Sequence, residues 1–379
     1  METSSKRARP RVRPALVAQA ALRPSAKRWQ PAQRRVLAAT LLLSACFSKA
    51  SFSDPIADDG TFEREPNSAS SARFEDAAEW SEARGGLALV VLEGERIVFE
   101  RYASGYDPAT PVHLFSGTKS FSCPLVLALE QEGFLTLDES VADSIPELED
   151  APRILIRHLL DFTSGLRDDN IRLSLDGVLE RQRIDDKVAV AVSRPRDHEP
   201  GTHFAYGSVH QWVLSGLLEK KLGQPALATM ETFLLGPLGL RTAGWLHDPS
   251  GQTALAYGAF TTVLEWAKFG ILMRDDGVFQ GERLLPAGVR DRCFTGSNAN
   301  PAYGLTFWLN APLSETADRA GSLETSGPIF GSGPGDLASA AGFKDQRLYI
   351  SATQNRVVVR FGDGNSDFKD AELVSRLFD

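Results

Sequence analysis

The sequence predicts an α/β protein in which an antiparallel sheet, formed from segments near both ends of the chain, is flanked by helices and carries a mostly helical subdomain. Two β-rich runs, 87–92 and 96–102, flank a turn that contains glycine, and two more, 347–351 and 356–361, flank a polar turn. Each pair is typical of an antiparallel hairpin. The segments between the two pairs have mainly helical patterns that glycine and proline interrupt.

Three regions are predicted along the chain. Residues 1–46 form an export signal, 47–78 form a flexible tether, and 79–379 form a single domain with a helical insertion at about 134–330. The tether is inferred because it is rich in Ser, Ala, Asp and Glu and shows little periodicity. In the domain, a crevice between the sheet and the insertion is the natural place for an active site.

Charge is distributed unevenly between the start of the chain and the rest. Residues 1–46 hold ten of the 41 Lys and Arg residues and only one of the 49 acidic residues, which leaves 31 basic and 48 acidic residues elsewhere. Phosphate binding needs basic surface, so the acidic body argues against nucleic acid as a partner.

The basic start is typical of an export signal. Arg34 and Arg35 precede the apolar run 36–43, and the small residues that follow end at Cys46. This order defines a secretory signal, and the run is too short to cross a bilayer as a helix. Because Leu-Ser-Ala-Cys resembles a bacterial lipobox, we expect Cys46 to be lipidated and to anchor a periplasmic lipoprotein. The alternative is a non-lipidated signal with an incidental cysteine.

The other cysteines and the histidines give no sign of a metal site. Cys123 and Cys293 lie far apart in the sequence, and we expect both to be buried, inert thiols and not a disulfide framework. The six histidines are scattered, and no Cys/His cluster has the spacing of metal ligands. We therefore predict neither a metal nor a cofactor.

Ser-x-x-Lys occurs twice, and the context separates the two copies. Ser366, followed by Lys369, opens the predicted closing helix 366–378, where its role as an N-cap explains it. Ser116 follows an apolar stretch and opens a predicted buried helix over 116–133, where free N–H groups and the positive end of the helix dipole favour an oxyanion.

Lys119 is the candidate base for Ser116. Residues three apart share a helix face, so its side chain can point at the serine hydroxyl. A serine becomes a nucleophile when a base removes its proton, and burial can keep a lysine neutral enough for that task. The alternative is a helix N-cap followed by a lysine that reaches solvent.

A second motif, 200–208, precedes an apolar helix at 212–218. Tyr206 follows a Pro-Gly turn, so its phenol could reach a cleft and pass a proton between nucleophile and leaving group. Ser208 could hydrogen-bond Lys119. The alternative is a core aromatic residue with a capping serine.

Three histidines lie near these motifs, and we expect them to be structural. His113, His203 and His210 do not form a Ser-His-Asp arrangement, and no Gly-x-Ser-x-Gly sequence occurs.

Together these segments resemble the serine β-lactamase and penicillin-binding-protein-like superfamily, in its esterase and 6-aminohexanoate-dimer-hydrolase branch. Five segments match in order over about 85–362: the first hairpin, Phe115-Ser-Gly-Thr-Lys119, Ile156-Arg-His-Leu-Leu-Asp-Phe-Thr-Ser-Gly-Leu166, the stretch 200–208, and a glycine-containing strand before the last hairpin.

This resemblance implies the roles of the motif residues. Ser116 would be the acylated nucleophile, and Lys119 and Tyr206 would be its acid–base partners. Ser208 would take the place of the Asn or Ser that follows the family tyrosine, where it would help to bind substrate.

The strand element departs from the family pattern. The family has Lys-Thr-Gly or His-x-Gly, whereas no Lys or His precedes Gly342 in the matching stretch. The stretch is closer to the Ala-x-Gly-x-x-Gly-Gln form of the aminohexanoate-hydrolase branch, with Asp345 in place of the second glycine. The resemblance implies an oxyanion hole from the N–H of Ser116 and one strand N–H, for which Phe343 is the candidate.

The implied reaction is acyl transfer to water through an acyl-Ser116 intermediate, on a small ester or a linear amide. A β-lactamase or D-amino-acid peptidase ranks lower, because the site lacks the cation that would bind a substrate carboxylate. A non-catalytic, surface-tethered binding protein of the same fold is the alternative from another class.

Overall fold

The structure of the protein is a computed structural model that describes most of the chain. The residues that it describes are 52, 54–65, 71–149, 153–168, 184–315, 327–364 and 367–378. The predicted export signal with Cys46 lies outside these ranges, as does Ser366. Among the described residues, none of the helices has the length and apolar character that a bilayer crossing requires.

Twelve strands are described, and seven of them form one central sheet. In chain order they are β1 (Glu63–Arg64), β2 (Gly86–Glu93), β3 (Arg96–Tyr102), β4 (Val112–His113), β5 (Gly244–Trp245), β6 (Ala259–Thr261), β7 (Val278–Phe279), β8 (Glu282–Arg283), β9 (Trp308–Leu309), β10 (Ala338–Gly342), β11 (Gln346–Ser351) and β12 (Arg356–Gly362). The order in the central sheet is β1-β3-β2-β12-β11-β10-β9. β1 pairs with β3 in parallel, and the other neighbours pair antiparallel.

The two ends of the chain meet at the centre of this sheet, as the sequence predicted. The first hairpin is β2–β3 and the last is β11–β12, and the pairing of Val91 with Val358 is part of the register that joins them. These central strands are rich in β-branched residues, which suit a pleated surface buried on both sides. The predicted fold class is therefore confirmed.

Most of the described helices are short, and most of them lie between the two hairpins in the sequence. They are α1 (Ser71–Glu82), α2 (Ser122–Gln131), α3 (Ile156–Leu160), α4 (Lys187–Val192), α5 (Val209–Leu222), α6 (Ala226–Met230), α7 (Gly236–Leu238), α8 (Val263–Arg274), α9 (Val289–Cys293) and α10 (Asp370–Phe378), with 3₁₀ turns at Phe115–Phe121, Val141–Asp143, Pro146–Leu148 and Phe343–Asp345 and a π turn at Glu231–Leu235. The predicted helix 116–133 thus begins as a 3₁₀ turn and continues as α2.

Side chains of the central strands alternate between two hydrophobic cores. Val90 and Val359 belong to the first core, in which α8 packs on β11 and β12. Val91 and Val358 belong to the second core, which α1 and α10 cover. Successive residues of a strand point to opposite faces, so each central strand contributes to both cores.

The predicted tether 47–78 is wrong for the part that the structure describes. Phe62 is buried, β1 adds to the sheet, and α1 buries Phe74, Ala77 and Ala78. Their spacing is that of an apolar helix face, and the surrounding acidic and small residues hide it in the composition.

The insertion predicted at about 134–330 is only partly helical and does not form a separate layer. β9 lies at the edge of the central sheet, and α8 is one of the helices that cover it. This region therefore contributes to the same cores as the two ends of the chain.

The expectation that Cys123 and Cys293 are thiols is wrong. They form a disulfide between α2 and α9 with their Cα atoms 6.0 Å apart, and both are fully buried as expected. The sequence did not predict the pairing because 170 residues separate the two positions and only the packing of α9 on α2 brings them together.

Candidate active site

Ser116 lies in the 3₁₀ turn Phe115–Phe121, which leads from β4 into α2. Polar side chains of this segment tie it to its surroundings: Ser120 Oγ donates to the carbonyl of Thr306 at 2.8 Å, and Ser122 Oγ donates to Gln211 at 2.6 Å. Phe115 has a φ of 48°, a strained value for a bulky side chain that marks the entry to the turn. The nucleophile candidate therefore stands on a rigid support, as a catalytic group requires.

Lys119 is buried and points at Ser116. Its Nζ lies 3.0 Å from Ser116 Oγ and 2.8 Å from the carbonyl oxygen of Ala256. The lysine is only 3% exposed, so it is not the solvent-reaching side chain of the alternative interpretation. The structure thus brings together the two residues that the i, i+3 spacing predicted to meet.

Tyr206 reaches the same serine from the other side of the cleft. Its hydroxyl hydrogen-bonds with Ser116, and its ring stacks on Trp308 at 5.3 Å. Lys119 Nζ lies 5.4 Å from the centre of the ring. Burial raises the pKa of Tyr206 to about 12, while the bond to Ser116 and the positive charge of Arg347 act in the opposite direction.

His210 holds the backbone next to Tyr206. Its Nε2–H donates to the carbonyl of Ala205 at 2.9 Å, and Ser164 Oγ donates to its Nδ1 at 3.0 Å. Phe162 stacks on the imidazole ring at 4.8 Å. Burial lowers the pKa of His210 to about 4, so the ring is neutral near pH 7 and keeps one donor and one acceptor.

The other two histidines near the motifs also have contacts with the scaffold. His113 Nε2 hydrogen-bonds with the carbonyl of Tyr257, and its ring stacks on Phe260. His203 stacks on His198 at 3.9 Å.

Ser208 is buried at the N-terminus of α5, two residues after Tyr206. Its carbonyl accepts the first hydrogen bonds of the helix, and the N–H of Val209 donates to Asp168 Oδ2 at 2.7 Å. The positive end of the helix dipole stabilises the negative charge of an aspartate at this end of the helix. Asp168 was not predicted from the sequence, and the hydrogen bond expected between Ser208 and Lys119 stays a prediction.

Gly342 packs directly against the chain that leads to Ser116. A Cβ at this position would lie 2.0 Å from the carbonyl oxygen of Leu114, so a side chain cannot fit without moving one of the two segments. Phe343, which follows, is 43% exposed, and its ring lies edge-on to Phe115 at 5.4 Å. Gly342 and Phe343 therefore lie beside the segment that carries Ser116.

Strand pairing along β10 stops before Gly342 on one side. β9 pairs with β10 only at Ala338 and Ser339, so within the described residues the later part of β10 has no strand on that side. An unpaired strand edge presents N–H groups that can bind a substrate carbonyl.

Besides Asp168, three contributors to the site were not predicted from the sequence. Tyr303 and Trp308 pack around the ring of Tyr206. The concentration of aromatic residues around them was the feature of the sequence that could have indicated this contact. Arg347 lies on β11 and is 5% exposed. Its position as a charged residue within a predicted strand was the feature of the sequence that could have indicated its role.

Metal ligands do not cluster in the part of the chain that the structure describes: no group of three or more His, Cys, Asp or Glu side chains there could hold an ion.

Comparisons with known proteins agree with this architecture. Solved structures of the same fold include a putative β-lactamase from Bacteroides dorei, with a TM-score of 0.62 and 19% identity over 81% of this chain and 97% of that one. The hydrolase EstCE1 gives a TM-score of 0.63 and 16% identity over 82% of this chain and 97% of the other. At such identities the likeness shows the fold.

Curated relatives are similar in sequence. Esterase EstB of Burkholderia gladioli is 29% identical over 212 residues, which cover 49% of this chain and 53% of the esterase. The 6-aminohexanoate-dimer hydrolase of Paenarthrobacter ureafaciens is 24% identical over 291 residues, which cover 72% of this chain and 71% of that enzyme. The chain thus spans about half the length of the esterase.

The family model named Beta-lactamase matches residues 71–366. This range contains every described residue of the candidate site, and it is more than half of the 379 residues. The predicted superfamily is thereby confirmed, and the protein belongs to the β-lactamase family.

Proposed function

We propose that the protein is a serine hydrolase that cleaves small esters or linear amides through an acyl-Ser116 intermediate. The observation that carries the proposal is the convergence of Lys119 Nζ, at 3.0 Å, and the Tyr206 hydroxyl on the one Ser116 Oγ. An activated serine typically has a base within hydrogen-bond reach, and a further group orients that base.

Ala256 orients Lys119 for proton transfer. A neutral lysine has two N–H bonds and one lone pair, and donation of one N–H to the Ala256 carbonyl at 2.8 Å leaves the lone pair for the hydroxyl proton of Ser116. The lysine accepts this proton as the serine oxygen attacks the substrate carbonyl.

The proposed reaction has two steps, acylation of Ser116 and hydrolysis of the acyl-enzyme. The serine oxygen forms a bond to the carbonyl carbon, the N–H groups of Ser116 and Phe343 bind the developing oxyanion, and the bond to the leaving group breaks as Tyr206 passes to it the proton that Lys119 accepted. Water then gives a proton to the same pair and attacks the acyl carbon, the bond to Ser116 Oγ breaks, and the proton returns to the serine, so the net reaction consumes one water and releases an acid and an alcohol or amine.

Two features of the cleft favour an uncharged substrate over a β-lactam. Ala340 and Ala341 precede Gly342 where related enzymes carry a cation, so this strand offers no charged partner for a substrate carboxylate. The exposed ring of Phe343 beside Phe115 offers apolar surface to an acyl or alcohol group. A β-lactamase or D-amino-acid peptidase remains the second candidate.

We also propose that the protein is exported and anchored by a lipid at Cys46. The buried disulfide between Cys123 and Cys293 supports export, because disulfides persist in oxidising compartments such as the periplasm. Membrane contact would be through the lipid anchor alone.

The function is tested by a substrate panel with purified protein. Short-chain nitrophenyl esters, aminohexanoate-type amides and a chromogenic cephalosporin are compared for wild type, Lys119→Ala and Tyr206→Phe. We expect ester or amide turnover, abolished by Lys119→Ala and slowed about 10²–10⁴-fold by Tyr206→Phe, which removes only the hydroxyl. A correctly folded wild-type protein that turns over none of the three classes favours the non-catalytic binding protein.

A further inference from the structure

The peptide unit between Gly342 and Phe343 is held by a buried arginine. Arg347 Nη1 donates to the carbonyl oxygen of Gly342 at 2.9 Å and to that of Gln346 at 3.0 Å. The Gly342 carbonyl therefore points towards the guanidinium of Arg347. Carbonyl and N–H point in opposite directions across a trans peptide, so the Phe343 N–H points away from this guanidinium.

Asp370 fixes the arginine in turn. Its carboxylate accepts from Arg347 Nε at 2.7 Å and Nη2 at 3.0 Å, and from the Tyr349 hydroxyl at 2.6 Å. Asp370 is fully buried. A two-point contact between guanidinium and carboxylate fixes direction as well as distance, so α10 sets the angle at which Arg347 meets the Gly342 carbonyl.

We propose that Arg347, locked by Asp370, is a positioning residue that orients the Phe343 N–H as the second donor of the oxyanion hole. This inference rests on the proposed acyl-serine function. Preorganised donors stabilise a transition state because they need not reorient as charge develops. The positive guanidinium at the carbonyl end of the peptide also polarises it, which strengthens its N–H as a donor.

Arg356 provides a matched control on the adjacent strand β12. It is 7% exposed, it pairs with Glu93, and it donates to the carbonyl of Leu377. Its guanidinium lies 5.2 Å from the ring of Phe74, much as that of Arg347 lies 5.3 Å from Phe368. The two arginines therefore share burial, an acidic partner and an aromatic neighbour, but only Arg347 contacts the peptide beside the site.

The test compares Arg347→Lys with Arg356→Lys. A lysine keeps the charge but, as a point charge, cannot reproduce the fork that holds Asp370 and the Gly342 carbonyl together. Because an unpaired buried carboxylate can prevent folding, the double variant Arg347→Gln/Asp370→Asn, which removes both charges, is measured as well. The readouts are kcat, KM, the Ki of a phenylboronic acid that forms a tetrahedral adduct on Ser116, and the thermal unfolding midpoint.

We expect kcat for a short ester to fall about 10–100-fold in Arg347→Lys and in the double variant, with KM changed less than about threefold. The boronate Ki should rise in parallel with the loss in kcat, and Arg356→Lys should keep wild-type kcat and Ki even where it lowers the unfolding midpoint. Wild-type kcat and Ki in a folded Arg347→Lys protein would overturn the inference, and so would equal losses in both arginine variants. A wild-type protein without ester or amide turnover would instead contradict the proposed function.

Discussion

Replacing His210 with glutamine tests how the backbone next to Tyr206 is held in place. The imidazole is buried, donates to the carbonyl of Ala205 and accepts from Ser164. Its two hydrogen bonds require the neutral ring, because a protonated ring has two donors and no acceptor. Glutamine keeps a donor and an acceptor but does not ionise.

The size of the effect on stability follows from the pKa of His210 in the folded and unfolded states. Burial lowers it from 6.5 to about 4; the Asp168 carboxylate opposes this shift and Lys119 adds to it. Between these pH values the unfolded chain binds a proton that the folded protein does not, so stability is fully present above pH 6.5 and is lost as the pH falls towards the folded pKa. The loss amounts to about 2–3 kcal/mol at pH 4.5 relative to pH 7.5.

Urea denaturation of wild type and His210→Gln at both pH values measures this loss. We expect the unfolding free energy of wild type to fall by about 2–3 kcal/mol more than that of the variant. At pH 7.5 the variant should also lose about tenfold or more in kcat, because glutamine cannot stack on Phe162 as the imidazole does and a small shift of this loop misplaces the phenol of Tyr206. His247→Gln is the control. Burial lowers the pKa of His247 too, but the backbone group that it contacts is that of Trp245 and not that of Ala205 beside Tyr206. Equal pH dependence in wild type and His210→Gln would refute the reasoning.

Three further predictions address the disulfide, the specificity and the anchor. Replacing Cys123 and Cys293 together by alanine opens a link between positions 170 residues apart and should lower the unfolding free energy in urea by up to about 5 kcal/mol; an unchanged midpoint would contradict this. Because Ala340 and Ala341 replace a cationic strand motif, short esters should be hydrolysed much faster than a chromogenic cephalosporin in steady-state assays, and the reverse order would favour the second candidate. In a Gram-negative host, wild type should fractionate with membranes and carry lipid on Cys46, whereas Cys46→Ser should be soluble or uncleaved; a soluble mature wild type that starts elsewhere would argue against lipidation.

Local patterns were enough to predict the sheet and the first pair of catalytic candidates. The hairpins come from contiguous β-branched runs, and the meeting of Ser116 and Lys119 depends only on the spacing of a helical turn. The meeting of Tyr206 with Ser116 needed the family resemblance as well, because the two residues are far apart in the sequence.

What the sequence did not predict depends on tertiary neighbours. The α1 helix was taken for tether because its apolar stripe is short and lies among acidic residues. Cys123 pairs with Cys293 and Arg347 pairs with Asp370, each on another segment, and nothing in the local sequence identifies either partner. The same is true of His210, whose donor, Ser164, belongs to another motif.

The central claim is that Ser116 is the nucleophile, and mapping a covalent adduct tests it most directly. A fluorophosphonate probe, followed by peptide mass spectrometry, should place one adduct on Ser116. Ser116→Ala should abolish both labelling and turnover, while Ser366→Ala, which changes the other Ser-x-x-Lys copy, should keep both. An adduct on a different serine, or full activity in Ser116→Ala, would contradict the account.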